Sequence, residues 1–239
     1  MTDSVLQQQY IANEILTQGM AQQLRKWKTL LGAGTQRVGW KIGFNAAADQ
    51  ARMKLPSPIV GFLTDDRLMP NAGSYKVSES AKLMVEAEVA ILIGNDISAS
   101  ASKSEFESAI AGFAPAIEIV DVARSAHDIL SILDDNIFHE AVIIGELVKN
   151  KPALTANDIQ AKVIVNNEVV QQGEPARYPD DLTDIIRVVA NTLGSQGETL
   201  KAGDWIICGS ITTPYQIFAA DRIEVELAPL GTLSLDIHQ

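Results

Sequence analysis

Cysteine, positive charge and long apolar runs are all scarce in this sequence. Its one cysteine, Cys208, cannot form a disulfide within the chain and lies in an apolar run, where a free thiol usually serves as a small buried side chain. Lys and Arg number 19 against 30 Asp and Glu, a net charge of −11 that disfavours a nucleic-acid surface. No stretch reaches the ~18 to 20 apolar residues of a membrane span. These absences predict a soluble protein that binds neither nucleic acid nor membrane.

The composition is that of an ordinary globular protein. Hydrophobic residues make up 46% of the 239 residues and charged residues 21%, which excludes wholesale disorder. The start, residues 1–4, has neither a basic segment nor an apolar segment of a secretory signal, which indicates a reduced cytoplasm. No internal repeat, low-complexity tract or linker divides the chain. We therefore predict one catalytic domain over residues 1–239.

Apolar periodicity and turn residues predict the order of the elements. Helices are expected over residues 4–31, with a possible break near Gly19, and over 45–55, 102–113 and 182–193. Strands are expected over residues 38–44, 83–93, 116–121, 142–144, 162–165, 168–170, 205–208, 215–218 and 223–227. This order predicts an α+β fold, with an N-terminal helical segment (1–35) and a mixed, mostly β core (36–239).

Three glutamates interrupt apolar strands. Glu86 and Glu88 are two residues apart, so both side chains leave the same face of their strand. Burying two adjacent carboxylates is unfavourable unless a cation compensates them. Glu118 on another strand offers a third ligand, and such a group suits Mg²⁺ or Mn²⁺. Alternation alone leaves open a solvated face on an edge strand, with Glu118 paired to an arginine such as Arg124.

Five segments, in this order, carry a resemblance to a known family. The chain resembles the 2-keto-4-pentenoate hydratase / 4-oxalocrotonate decarboxylase family of the fumarylacetoacetase superfamily in the segments GWKIGF (39–44), SPIVGFLTDD (57–66), VEAEVA (85–90), PAIEIV (115–120) and LKAGDWIICGS (200–210). The resemblance implies a twisted mixed β-roll with flanking helices. It also implies homo-oligomers, a role in breaking down aromatic compounds and, for some members, a partner enzyme.

The same resemblance implies the site residues. Glu86, Glu88 and Glu118 would hold the divalent metal, Lys41 and Asp66 would act as acid/base groups, and Asp65 is the less favoured member of its pair. Ser210 falls in the family's late substrate-contacting loop, although a serine there also suits a simple turn.

The family's chemistry explains these residue types. A 2-oxo acid or its enol chelates Mg²⁺ through the C1 carboxylate and the C2 oxygen, which stabilises a growing enolate. A hydratase of the 2-keto-4-pentenoate type ketonises 2-hydroxypenta-2,4-dienoate and adds water at C4. A decarboxylase of the 4-oxalocrotonate type reaches the same enolate by losing CO₂ from the far carboxylate. The sequence places the hydratase first and keeps the decarboxylase as the alternative.

Two departures from the family pattern bear on the substrate. Phe138 stands where the family's Asp-Asn-Ala-Ser has serine, and we expect its ring to face the pocket. The family's Gly-His-Pro reads Arg177-Tyr178-Pro179, which suggests the loss of another polar group. Both changes predict a more apolar pocket that prefers a substrate with an apolar distal end.

His139 and Phe138 keep two further functions open. Hydrolases of the wider superfamily use a His/Glu pair to activate water, but His139 and Glu140 are adjacent on a strand and point to opposite faces. An acylpyruvate-type hydrolase is favoured only if His139 turns into the metal site. A non-catalytic subunit that binds oxo acids is the remaining alternative, since Phe138 replaces a polar substrate contact.

Overall fold

The computed structural model describes residues 3–124, 128–149 and 154–239, with side chains from residue 13 onward. Within these ranges the helices are α1 (Asp3–Gly32), α2 (Ala47–Met53), α3 (Lys103–Ser108), α4 (Ile129–Asp134) and α5 (Thr183–Gly194). The strands are β1 (Arg37–Gly43), β2 (Ile59–Thr64), β3 (Leu68–Met69), β4 (Gly73–Lys76), β5 (Leu83–Ile93), β6 (Ile110–Asp121), β7 (His139–Ile144), β8 (Gln160–Val165), β9 (Glu168–Gln172), β10 (Trp205–Ile207), β11 (Tyr215–Gln216), β12 (Arg222–Ala228) and β13 (Gly231–His238).

The strands form two mixed sheets. The larger has the order β2-β1-β10-β5-β6-β7-β3, with β11 also paired to β5, and the smaller has the order β4-β13-β12-β8-β9. Apolar side chains of both sheets and of α1 and α5 share one core. The predicted α+β class, with a helical N-terminal segment and a mostly β core, is confirmed. No helix in the described ranges is both long and apolar enough to cross a membrane.

The long apolar strands carry the most reliable sequence signal. β5 spans the predicted residues 83–93, and the hairpin turns at Asn166 and Asn167, both with positive φ, as predicted. The helix predicted over 102–113 is wrong beyond Ser108, because residues 110–121 pair along the whole of β5. The capping box at Ser102 does begin a helix as predicted, but strand pairing with β5 ends the helical segment at Ser108.

Gly19 does not interrupt the N-terminal helix. α1 runs through it without a break, and a Cβ at this position would lie 2.6 Å from Cδ1 of Leu133 in α4. The glycine therefore permits close packing of α1 on α4, which explains its place inside a helix.

Gly39 permits the close pairing that positions β1. Its φ is +152°, and an added Cβ would lie 1.9 Å from the backbone oxygen of Trp205 in β10. We expect Gly39→Ala to lower the free energy of unfolding by about 2 to 5 kcal/mol, through backbone strain and overpacking, as measured by urea denaturation. Gly32→Ala is the matched control, because a Cβ there meets nothing within 4 Å. Equal stability of the two variants would contradict this account of β1.

Candidate metal centre and active-site cavity

The antiparallel pairing of β5 with β6 brings the three predicted carboxylates together. Glu86 lies directly opposite Glu118, and Glu88 follows two residues later on the same face. One oxygen from each carboxylate lies within 4.8 Å of the others. Glu88 and Glu118 are fully buried, whereas Glu86 is half-buried and lines a cavity. The three carboxylates therefore converge in the fold as predicted. Because two of them are fully buried, they do not lie on a solvated face of an edge strand.

Two buried oxygens of this cluster have no hydrogen-bond partner among the described residues. Glu88 accepts from the backbone N–H of Gly209 (2.7 Å) through Oε2, and its Oε1 is unpartnered. Glu118 accepts from Lys41 and His139 through Oε1, and its Oε2 is unpartnered. An unsatisfied buried carboxylate oxygen is unfavourable. A hard divalent cation would satisfy both oxygens, so the donor atoms fit the predicted metal.

The electrostatics of the three carboxylates also favour a bound cation. Burial, followed by the charge of Glu118, raises the pKa of Glu86 to about 7, and burial with both neighbouring carboxylates raises the pKa of Glu88 well above its usual value. The Glu118 carboxyl is the exception: burial alone would raise its pKa, but Lys41 and His139 outweigh burial and lower it. Without a metal, Glu86 and Glu88 therefore keep their protons to a higher pH than ordinary carboxyl groups do.

Metal affinity should therefore increase as pH rises through about 7. Because a ligating carboxylate must be deprotonated, each bound ion has to displace the protons that the raised pKa values retain. Calorimetric titration with Mn²⁺ at several pH values between about 5.5 and 8.5 should show tighter binding and proton release above about pH 7. A Kd for Mn²⁺ that does not change over this pH range would contradict the raised pKa values of Glu86 and Glu88.

Lys41 reaches the cluster from β1. Its side chain is 2% exposed, and its ammonium pairs with Glu118 and donates to the carbonyl of Ile137 (3.1 Å). Gly61 on the neighbouring β2 makes room, because an added Cβ would lie 2.8 Å from Cγ of Lys41. The structure thus places the charge of Lys41, expected to serve as an acid/base group, directly on one of the three carboxylates.

A left-handed turn before β7 shapes the cavity wall. Asn136, Ile137 and Phe138 all have positive φ (52°, 56° and 61°), a conformation that side chains other than Asn rarely adopt. The Asn136 amide fixes the turn by pairing with the backbone N–H and C=O of Phe62, each at 2.9 Å. The turn thereby presents the carbonyl of Ile137 to Lys41 and places Phe138 in the cavity lining.

A bulge in β7 turns His139 toward the cluster. Ile119 pairs with Ala141 but the next residue, Val120, pairs with His139, so Glu140 is the extra residue. Val120 shares a face with Glu118, and His139 therefore faces that side as well. Its Nδ1 lies 2.7 Å from Oε1 of Glu118, whereas its buried Nε2 has no described partner.

Glu140, in contrast, belongs to a different cluster. Its carboxylate accepts from Tyr75 (2.9 Å) and pairs with Arg67 and Arg124. His139 and Glu140 thus form no pair with each other, as the adjacent positions predicted. Burial lowers the pKa of His139 more than its contact with Glu118 raises it, so the imidazole is neutral and donates through Nδ1.

The cluster opens into a cavity of about 560 Å³, within the range that holds small ligands. Lys41, Glu86, Phe138 and Ser210 line it, in agreement with the predicted locations, although their roles toward a substrate stay predictions. The Ser210 hydroxyl donates to the carbonyl of Thr212 (2.7 Å), so it stabilises the turn. Arg177 also lines the cavity. The sequence analysis noted it only as part of the altered Gly-His-Pro motif and did not predict it as a site residue.

Tyr178, the next residue, supports the loop that holds Glu88. Its buried hydroxyl donates to the carbonyl of Gly209 (2.6 Å) and accepts from the N–H of Val89 (3.1 Å). Gly209 is the residue whose N–H donates to Glu88. Tyr178 stands where the family's Gly-His-Pro motif has histidine, and its hydroxyl provides two buried hydrogen bonds behind the carboxylate cluster.

Asp66 is not brought into the site. It lies in a short 3₁₀ turn (Asp65–Arg67) with its side chain 48% exposed and only a loose contact, 3.9 Å, to Arg67. It is absent from the described lining of the cavity, and Asp65 accepts from the N–H of Gln36 (2.7 Å) instead. The geometry thus does not place Asp66 beside Lys41 as an acid/base group, because the turn after β2 leaves both aspartates exposed.

Known proteins resemble the chain over most of its length. Residues 38–238 match the family described as Fumarylacetoacetate (FAA) hydrolase C-terminal. The 4-oxalocrotonate decarboxylase of Pseudomonas putida is 27% identical, over 84% of this chain and 77% of its own. The 2-keto-4-pentenoate hydratase 1 of Dechloromonas aromatica is 24% identical, over 88% of this chain and 80% of its own.

A solved structure resembles the fold as a whole. The 4-oxalocrotonate decarboxylase from Pseudomonas putida G7, complexed with magnesium and adipate, has a TM-score of 0.83 and 23% identity, with 99% of each chain covered. This likeness concerns the fold, whereas the family match extends over both sheets and includes Lys41 and the three glutamates. The protein therefore belongs to the fumarylacetoacetate hydrolase C-terminal family.

Proposed function

We propose that this protein is a divalent-metal-dependent lyase that acts on short 2-hydroxydienoic or 2-oxo acids, foremost as a hydratase of the 2-keto-4-pentenoate type. The observation that carries the proposal is the cluster of Glu86, Glu88 and Glu118, with two unpartnered buried oxygens, at the base of a cavity. Relatives named hydratase and decarboxylase support the same reaction class.

Glu86, Glu88 and Glu118 would hold Mg²⁺ or Mn²⁺, which would polarise the 2-oxo group of a chelated substrate and stabilise its enolate. Lys41 keeps Glu118 ionised and adds positive charge beside the site. His139 donates a second hydrogen bond to Glu118 and fixes its orientation. With Asp66 outside the cavity lining, Lys41 and His139, which both contact Glu118, are the side chains to which we assign proton transfer.

The proposal also covers the setting of the enzyme. We treat residues 1–239 as one catalytic domain, in a cytoplasmic homo-oligomer that takes part in the breakdown of aromatic compounds beside a partner enzyme of the same pathway. These points follow from the family resemblance of the sequence.

His139 favours one second candidate, an acylpyruvate-type hydrolase. Its Nδ1 contacts Glu118, which leaves the lone pair of the buried Nε2 as a base for water if water reaches it. In that case His139→Gln should remove carbon–carbon cleavage while metal binding persists. In a hydratase, the same change should only weaken activity by about 10- to 100-fold, as loss of a residue that orients a metal ligand does.

One comparison tests the reaction class. The purified protein with Mg²⁺ is offered 2-hydroxypenta-2,4-dienoate, 2-oxohex-3-enedioate and an acylpyruvate, and the decay of each chromophore is followed. We expect the protein to turn over the dienoate, and we expect this turnover to be lost when a chelator removes the metal. Turnover of the acylpyruvate alone would replace this proposal with the hydrolase, and metal-dependent binding without any turnover would indicate the non-catalytic oxo-acid binder.

A further inference from the structure

One wall of the cavity carries positive charge, and that of Arg177 reaches the carboxylate cluster, where it partly opposes the rise in the pKa of Glu86. Arg177 and Arg52 both line the cavity, and Asp49 lies between them, 3.6 Å from a guanidinium nitrogen of Arg177 and 2.9 Å from one of Arg52. Two guanidinium groups thus share one carboxylate at this wall. Glu174 also approaches Arg177 (3.9 Å), but its side chain is 53% exposed and it is not part of the described lining.

Arg177 is held in place by the loop that also holds Glu88. Its Nε donates to the carbonyl of Ser210 (3.3 Å), and the preceding residue, Gly209, donates its N–H to Glu88. The Arg177 side chain is only 17% exposed, whereas that of Arg52 is 68% exposed. Arg177 is therefore the better-ordered of the two cations and the one tied to the metal centre.

The apolar part of the lining suits a hydrocarbon chain, although Asn45, Ser210 and Thr213 also line the cavity. Val120, Ile132, Ile137, Phe138 and Met53 contribute apolar surface to the same cavity. A ligand that chelates a metal at Glu86 through one end would pass such surface and meet a guanidinium at the cationic wall. Guanidinium groups bind carboxylates with paired, charge-assisted hydrogen bonds.

We propose that Arg177 is a specificity-determining residue that binds a second, distal carboxylate, so that dicarboxylic 2-oxo or 2-hydroxydienoic acids are preferred. The inference rests on the proposed function, because the other end of the ligand is taken to chelate the metal. It reverses the expectation of an apolar distal end drawn from Phe138, since the motif change that removed one polar group placed Arg177 in the cavity.

This role also separates the two lyase reactions. Decarboxylation converts the far carboxylate into neutral CO₂, so an ion pair with Arg177 is lost on the way to the transition state. An interaction stronger in the ground state than in the transition state slows a reaction. Hydration leaves the distal carboxylate unchanged, and the geometry therefore favours hydration of a dicarboxylic substrate.

Two saturated six-carbon acids test the inference without turnover. Binding of 2-oxoadipate and of 2-oxohexanoate, which differ in the distal carboxylate alone, is measured by calorimetry with and without Mg²⁺. We expect the wild-type protein to prefer 2-oxoadipate by about 10- to 100-fold, Arg177→Met to lose that preference, and Arg177→Lys to keep part of it. Arg222→Met, an exposed arginine on β12 outside this cavity, is the matched control and should behave as wild type.

The outcomes distinguish this inference from the function on which it rests. Mg²⁺-dependent binding of both acids with equal affinity by the wild-type protein, or an unchanged preference in Arg177→Met, would overturn the role of Arg177 alone. Binding that is independent of Mg²⁺ would overturn the proposed metal-dependent function, and this inference with it. Equal affinities of the wild-type protein for the two acids would overturn the inference even if an Arg177 variant does not fold.

Discussion

Glu88→Gln should reduce divalent-metal affinity by more than about 100-fold and bring metal-dependent turnover to background, with the fold retained. The substitution removes one charge and preserves the shape of the side chain. In the wild-type protein, Oε2 of Glu88 accepts a hydrogen bond from the N–H of Gly209, and the amide oxygen of a glutamine can accept the same bond. Glu88 is fully buried with a pKa raised well above its usual value, so an uncharged group at this position suits the metal-free fold.

Calorimetry with Mn²⁺, substrate turnover and thermal unfolding together measure this effect. The matched control is Glu168→Gln, which removes an exposed carboxylate on β9 in the other sheet and should leave all three unchanged. Full metal affinity in Glu88→Gln, or unfolding of the variant in the absence of metal, would show that Glu88 has a role other than ligand.

Lys41→Met should reduce turnover by about 100-fold or more without weakening metal binding. The Nζ of Lys41 is engaged in the ion pair with Glu118 and is not offered to the metal, and its removal leaves the cluster more negative. Because the ammonium neutralises the buried Glu118, the metal-free variant should also lose about 3 to 5 kcal/mol of stability. Saturating Mg²⁺ should restore part of that loss, since the ion then compensates the same carboxylate.

Metal titration, turnover and urea denaturation with and without Mg²⁺ check this prediction. Lys162→Met is the control, because Lys162 pairs with Glu226 on the surface of the smaller sheet with its side chain 49% exposed. A parallel loss of metal affinity and turnover in Lys41→Met would mean that Lys41 mainly maintains the structure of the site.

The sequence predicted the carboxylate cluster because strand periodicity is a strong physical signal. Alternation places Glu86 and Glu88 on one face whatever the neighbouring strand, and the apolar residues Met84, Ala90 and Leu92 on the same face indicate that this face is buried. The partner was harder to identify: the alignment of Glu118 with Glu86 depends on the register of β5 and β6. The family resemblance implied that the three glutamates share one metal, but the register itself is seen only in the structure.

Residues positioned by irregular backbone could not be predicted in this way. His139 reaches Glu118 only because β7 has a bulge at Glu140, and one extra residue reverses which side chain faces the site. Asp66 was carried over from a motif, but the turn after β2 directs it to the surface. Arg177 lies outside the regular strands and helices, in a short turn whose approach to Ser210 has no local sequence signal.

The most direct test of the account is a crystal structure of the protein soaked with Mn²⁺, with an anomalous difference map at the manganese edge. The account predicts one strong peak bonded to carboxylate oxygens of Glu86, Glu88 and Glu118, beside the cavity that Arg177 lines. It also predicts that the peak is missing from a Glu88→Gln crystal treated in the same way. A peak bound elsewhere, or Glu118 still paired only with Lys41 and His139 at saturating Mn²⁺, would contradict it.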